Sequence, residues 1–140
     1  KYLIVGKGDD QPRVAELARS KGVADRVIFA GFVPEEDKAD VYRLADVYAM
    51  PGRGEGFGFV MLEAMACGAP ANGSDIDGTR EAVREGLIGQ VVHPDDREAI
   101  KAAILRALAQ KRGIPEGISY FAFPEFAKRV AAAVNRLAAG

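Results

Sequence analysis

Short runs of β-branched and aromatic residues alternate along this chain with stretches whose apolar positions recur three or four residues apart. The runs predict strands at Tyr2–Gly6, Arg26–Ala30, Val47–Pro51, Ala69–Gly73 and Gly89–His93. The fourth is the weakest, because "GAPANGS" has poor β-propensity. Between the strands, Val14, Leu17 and Ala18 make one helical face and Val41, Leu44 and Ala45 a second. Ile100, Ile104, Ala107 and Leu108 make a third, and Gly and Pro then interrupt the pattern over Arg112–Gly117. A last helix from Pro124 carries Phe126, Val130, Val134 and Leu137 on one stripe, with the proline in its first turn. Alternating strands and helices predict βαβ units, hence an α/β fold with a parallel sheet.

That order nominates a site before any motif is read. In open parallel α/β sheets, ligands bind beyond the carboxyl ends of the strands. The segments there are "GKGDD", "GFVPEED", "PGRGEGFG", "GSDIDGT" and "HPDD", all rich in Gly, Asp, Glu or Pro.

Composition narrows the partners. The 140 residues suit one domain with one core, read as a single unit over 1–140. A net charge of −1 with about half the residues apolar suits a soluble globular protein and gives no nucleic-acid footprint. No apolar run reaches the length of a membrane span, so no transmembrane segment is expected. The single cysteine, Cys67, leaves no intramolecular disulfide and fits a reducing, cytoplasmic setting. The chain opens at Lys1 directly into "KYLIVG", without an initiator methionine, and is read as an excerpt from a longer protein.

The most informative stretch is "PGRGEGFGFVMLEAMACGAP", residues 51 to 70. Gly54, Gly56 and Gly58 let backbone approach a ligand and lead into a helix near Phe59. Exposed N–H groups and the positive end of the helix dipole suit phosphate there, though glycines also serve to permit a tight turn. "GKGDDQ" keeps only the first two glycines of G-x-G-x-x-G, so a nicotinamide dinucleotide fingerprint is not supported. Glu63 falls about one turn into that helix among otherwise apolar neighbours, where a carboxylate is costly unless paired or hydrogen-bonded. Two adjacent ribose hydroxyls would satisfy it, and so would an ion pair with a basic residue such as Arg53 or Arg80. Glu55, on the loop, either touches a second polar group of the same ligand or is solvated, and a hydrolytic Glu55–Glu63 acid/base pair is a third reading. One His, one Cys and no close acidic triplet make no metal-ligand cluster. His93 reads as a loop histidine and Cys67 as a small buried residue.

"EGFGFVMLEAMACGAP" resembles the E-x(7)-E signature of retaining GT-B glycosyltransferases, with Glu55 and Glu63 as its two acids. "VIFAGFVPEEDKADVYRLADVYAMP" looks like the block before it in that family, and "GSDIDGTREAV" with "GQVVHPDD" like the block after it. The collinear set covers nearly the whole chain. The resemblance implies the C-terminal, donor-binding half of such an enzyme: a Rossmann-like, doubly wound parallel sheet in a three-layer α/β/α sandwich. It implies that Glu63 accepts from the ribose hydroxyls and that Glu55, the catalytic candidate, contacts hydroxyls of the donor sugar. The Gly56–Phe57–Gly58 backbone would lie by the sugar and diphosphate, Val33 of the Gly31–Phe32–Val33 turn near the base, and Lys38 within reach of the nucleotide. Transfer would retain anomeric configuration with no cofactor and no metal, the partner being a nucleotide-sugar.

Two departures accompany the resemblance. The family's diphosphate-gripping Arg and Lys belong to a segment before "KYLIVG", and the acceptor-binding N-terminal domain is absent, so the fragment alone is expected to be inactive and to bind nucleotide weakly. "PAN" at Pro70–Asn72 replaces a hydrophobic strand, which predicts a fourth strand that is short, edge-like or strained, with Asn72 needing partners. Two other readings stand beside the enzyme half: a non-catalytic nucleotide or nucleotide-sugar binding module, and a structural fragment that self-associates through exposed apolar surface.

Overall fold

The computed structural model describes residues 1–138 and divides into two compact units, Lys1–Lys38 and the chain from Ala39 onward. All five expected strands are present, three of them shortened and the second and fourth shifted so that each runs one residue past its expected end, and every pairing is parallel.

In the first unit, β1 (Tyr2–Val5) pairs with β2 (Val27–Gly31) through α1 (Gln11–Ser20). Tyr2 lies opposite Val27 and Ile4 opposite Phe29, and the register slips at Val5, which faces Gly31. Pro12 sits in the first turn of α1, where a missing N–H costs nothing. Gly22, at φ +67°, turns the chain out of the helix as only glycine does easily. Burial here is thin. Ala18 is enclosed, while Leu17, on the expected face, stays half exposed.

The second unit holds most of α2 (Lys38–Leu44), then β3 (Tyr48–Ala49), α3 (Phe59–Ala66), β4 (Ala71–Ser74) and α4 (Thr79–Ala82). β5 (Gln90–Val92), α5 (Arg97–Leu108) and α6 (Phe123–Ala138) complete it. The sheet order is β3-β4-β5. Met61 and Met65 of α3, Ala71, Ala82 and Val83 form the buried core, with Tyr48, Phe57, Ile88 and Ile118 packed against it. Asp96 caps α5 by accepting from the Ala99 N–H at 2.9 Å.

β4 corrects one expectation. It is the central strand, not an edge, and all four of its residues are buried. Its small side chains leave room that α3 fills: the Met61 methyl sits 3.1 Å from where a Cβ on Gly73 would stand. Weak β-propensity is overridden because a parallel strand covered by helices is selected for fit, not for intrinsic preference. Asn72, 1% exposed, finds partners when its amide oxygen faces α5, accepting from the Ile104 N–H at 3.3 Å and donating to the Ala71 carbonyl at 3.2 Å.

Three helical faces also differ from expectation. Leu44 is 74% exposed, and α5 turns Ala103 and Ala107 inward while Leu108 remains half exposed. The stripe on α6 is real as a pattern yet uncovered, with Phe126, Val130, Val134 and Leu137 all exposed. Among the described residues, no helix is long and apolar enough to cross a membrane.

Candidate functional site

In the second sheet, the parallel order sends the segments after β3, β4 and β5 to one edge, and hydrogen bonds tie them together there. Arg53, after β3, is ion-paired with Asp95, after β5. That guanidinium holds the Asp95 carboxyl below the usual carboxylate range, first through the hydrogen bond and then through its charge. The peptide of Glu55 meets the segment after β4 on both sides, its N–H donating to Asp77 Oδ2 at 3.3 Å and its carbonyl accepting from the Gly78 N–H at 2.9 Å.

The loop then enters α3 at Gly58, the N-cap residue, with φ +89° and ψ +54°. That left-handed conformation is what glycine tolerates, and a Cβ there would also stand 3.0 Å from the Thr79 methyl. Gly58 offers no side-chain cap, and its carbonyl accepts from the Met61 N–H at 2.9 Å to open the helix. Phe57 packs inward against Phe59 and Phe121, at ring distances of 5.0 and 5.8 Å. Glu55 is exposed, its carboxylate 3.5 Å from the Phe57 N–H.

Glu63, half-buried on α3, accepts from the Tyr42 hydroxyl of α2 at 2.9 Å. Both arginines weighed as its ion-pair partners are engaged elsewhere, Arg53 with Asp95 and Arg80 with Glu85. Burial first, and then the bond to the Glu63 carboxylate, push the Tyr42 phenol well above its usual value, so it remains a protonated donor. The ring is set edge-on against Tyr48, 5.6 Å away at 75°. The phenol fixes the direction in which α3 presents the Glu63 carboxylate.

Of the residues nominated by sequence, the structure places Glu55, Gly56, Phe57, Gly58 and Glu63 on one loop-and-helix segment of the second unit. Val33 and Lys38 belong to the first unit: Val33 is half-buried just after β2, and Lys38 is salt-bridged to Glu35 at 3.1 Å. His93 is an exposed loop residue whose Nδ1 accepts from the Asp95 N–H at 3.3 Å. Cys67, expected to be buried, is only half-buried at the end of α3.

Sequence reasoning did not single out Tyr42, Asp77, Gly78 or Thr79. Tyr42 is separated from Glu63 by 21 positions, which no local pattern encodes. Asp77 did carry a readable signal, since Asp-x-Thr favours a turn in which the carboxylate accepts the N–H two residues on. Here Asp77 Oδ1 accepts from the Thr79 N–H at 3.0 Å.

The family model for glycosyl transferases group 1 matches residues 1–122. The phosphatidyl-myo-inositol mannosyltransferase of Mycobacterium leprae is 38% identical over 107 residues, 76% of this chain and 28% of that protein. The structure of sucrose-phosphate synthase from Thermosynechococcus elongatus is 31% identical with a TM-score of 0.78, over 98% of this chain and 38% of that one. Anabaena HepE in complex with UDP-glucose is 25% identical with a TM-score of 0.68, over 96% of this chain and 40% of its own. The chain thus spans between about a quarter and two-fifths of the lengths of these relatives.

Proposed function

Because this chain belongs to the group 1 glycosyl transferases, we propose that it supplies the donor-binding half of an enzyme that moves a sugar from a nucleoside diphosphate to an acceptor. The observation that carries this reading is the Glu63 carboxylate, held by Tyr42 one turn inside a helix that a glycine loop opens toward the carboxyl edge of the sheet. In this reading Glu63 accepts from the ribose hydroxyls, which present two donors side by side. Glu55 contacts hydroxyls of the sugar and stands nearest the transfer. The backbone of the Gly56–Phe57–Gly58 loop, aided by the helix dipole, takes the diphosphate and stabilises its charge as the sugar departs. Val33 lies by the base, and Lys38 reaches the nucleotide. Transfer retains anomeric configuration and uses no metal and no cofactor, the charge being met by protein donors. A separate acceptor-binding domain completes the cleft, and this chain alone binds donor without turning it over. The UDP-glucose complex of HepE, a structural relative, supports a nucleotide-sugar as the ligand class.

Calorimetric titration with UDP, GDP, UDP-glucose and GDP-mannose, repeated on Glu63→Gln, tests the reading. A hydrogen bond to a charged acceptor is worth about 1.5–3 kcal/mol, so affinity for the preferred nucleotide is expected to fall roughly tenfold or more. Equal affinities for the wild-type chain and Glu63→Gln would end the assignment of Glu63 to ribose.

A further inference from the structure

The Glu55 side chain is exposed, and nothing at its tip fixes its direction beyond the 3.5 Å approach to the Phe57 N–H. Its backbone, by contrast, is gripped. We propose that Asp77 is a positioning residue for Glu55, anchoring the loop so that the Glu55 carboxylate is held toward the sugar half of the donor. This rests on the donor-binding reading given above.

The anchor runs back to the core through Asp77, Thr79 and Ser74. Ser74, the last residue of β4, is fully buried, and its N–H donates to the Thr79 hydroxyl at 2.7 Å. Thr79 is also fully buried, its hydroxyl oxygen 2.7 Å from Asp77 Oδ1 and 3.2 Å from the Ser74 carbonyl, the two acceptors within reach of its one proton. Oδ1 of Asp77 additionally accepts from the Thr79 N–H, so one carboxylate oxygen is fixed to the core. The other, Oδ2, accepts from the Glu55 N–H at 3.3 Å. Burial alone would raise the Asp77 carboxyl, but the bonds from Thr79 and Glu55 outweigh it and keep it ionised.

A steric seat completes the grip. A Cβ on Gly78 would stand 2.1 Å from the Gly56 carbonyl oxygen and 2.7 Å from the Phe57 nitrogen, so the loop lies flush on that residue. The division of labour within Asp77, one oxygen to the core and one to the loop, is what a merely local turn would not need. The strand end thereby dictates where a residue on an exposed loop is held, without touching the ligand.

Asp77→Asn separates the two oxygens' roles. The amide oxygen can still serve Thr79, while the NH2 group presented to the Glu55 N–H is donor against donor. The affinities of UDP and UDP-glucose, and of GDP and GDP-mannose, are measured for the wild-type chain, Asp77→Asn, Glu55→Gln and the double variant. We expect Asp77→Asn to weaken the nucleotide-sugar about three- to tenfold while leaving the nucleoside diphosphate within about twofold, with no further loss in the double variant. Asp77→Ser, whose one oxygen can still accept from the Thr79 N–H but leaves no second oxygen for the Glu55 N–H, is expected to give the same split and serves if Asp77→Asn does not fold. Equal losses for diphosphate and sugar conjugate, or additive losses in the double variant, would overturn the proposal. Should the wild-type chain bind none of the four, the donor reading fails by itself, and amide hydrogen exchange still reads the anchor. Faster exchange at Glu55 in Asp77→Asn, with Thr79 unchanged, supports it, and unchanged exchange at Glu55 sinks it.

Discussion

Tyr42→Phe removes one oxygen and keeps the ring, so it isolates the hydrogen bond that holds Glu63. The edge-on packing against Tyr48 survives the change, since it involves only the ring. The deleted bond is 2.9 Å long and ends on a carboxylate, a class worth about 1.5–3 kcal/mol. Both partners are half-buried, and water takes up part of the loss, so the lower end applies and we expect destabilisation of about 1.5 kcal/mol. The chain has no tryptophan, so urea unfolding is best followed by far-UV circular dichroism. A cycle with Glu63→Ala removes each residue's other interactions from the comparison and should leave a coupling of about 1 kcal/mol. The pH dependence has a definite sign. The folded-state phenol is raised, so the contribution is fully present below the ordinary value of about 10 and is lost as pH rises through the folded value. Spectrophotometric titration should show a late tyrosine component, and Tyr42→Phe should remove it. A coupling within about 0.5 kcal/mol of zero would refute the reasoning, because sites that do not interact add to within that margin.

Three other outcomes follow from the same structure. Met61→Ala empties a fully buried position beneath β4 and should cost about 2–5 kcal/mol in the same unfolding assay. Val134→Glu with Leu137→Glu should leave the midpoint nearly unchanged, because these side chains are 56% and 84% exposed. Asp77 is held below the ordinary carboxylate range, so its contribution is present above about pH 4 and is lost as pH falls through the folded value. The Glu55 and Thr79 amide resonances should therefore shift together under acid titration.

Strand and helix positions were largely legible in the chain, because periodicity reports which side of an element is apolar. What it did not report is whether anything covers that side. α6 shows this most plainly: its stripe from Phe126 to Leu137 is regular in sequence and open to solvent in the structure. β4 departed in the opposite direction, since "ANGS" reads as a weak, edge-like strand until Met61 is seen filling the space its small residues leave. At the site, Glu63 and the glycine loop stood out because a carboxylate among apolar residues and closely spaced glycines are both locally unusual. Tyr42 and Asp77 did not, because their importance lies in partners brought close only by the fold.

The contact between Gly78 and the loop also bears on how such a protein could be redirected by directed evolution. Gly78 is a seat, and any side chain there displaces the loop it supports. Gly56, immediately above it, has nothing within 4 Å of the position a Cβ would take and does not require a positive φ. New side chains at position 56 would therefore project from a backbone that stays where it is. A library that randomises 56 and holds 78 fixed would explore new ligand contacts while the underlying scaffold remains constant.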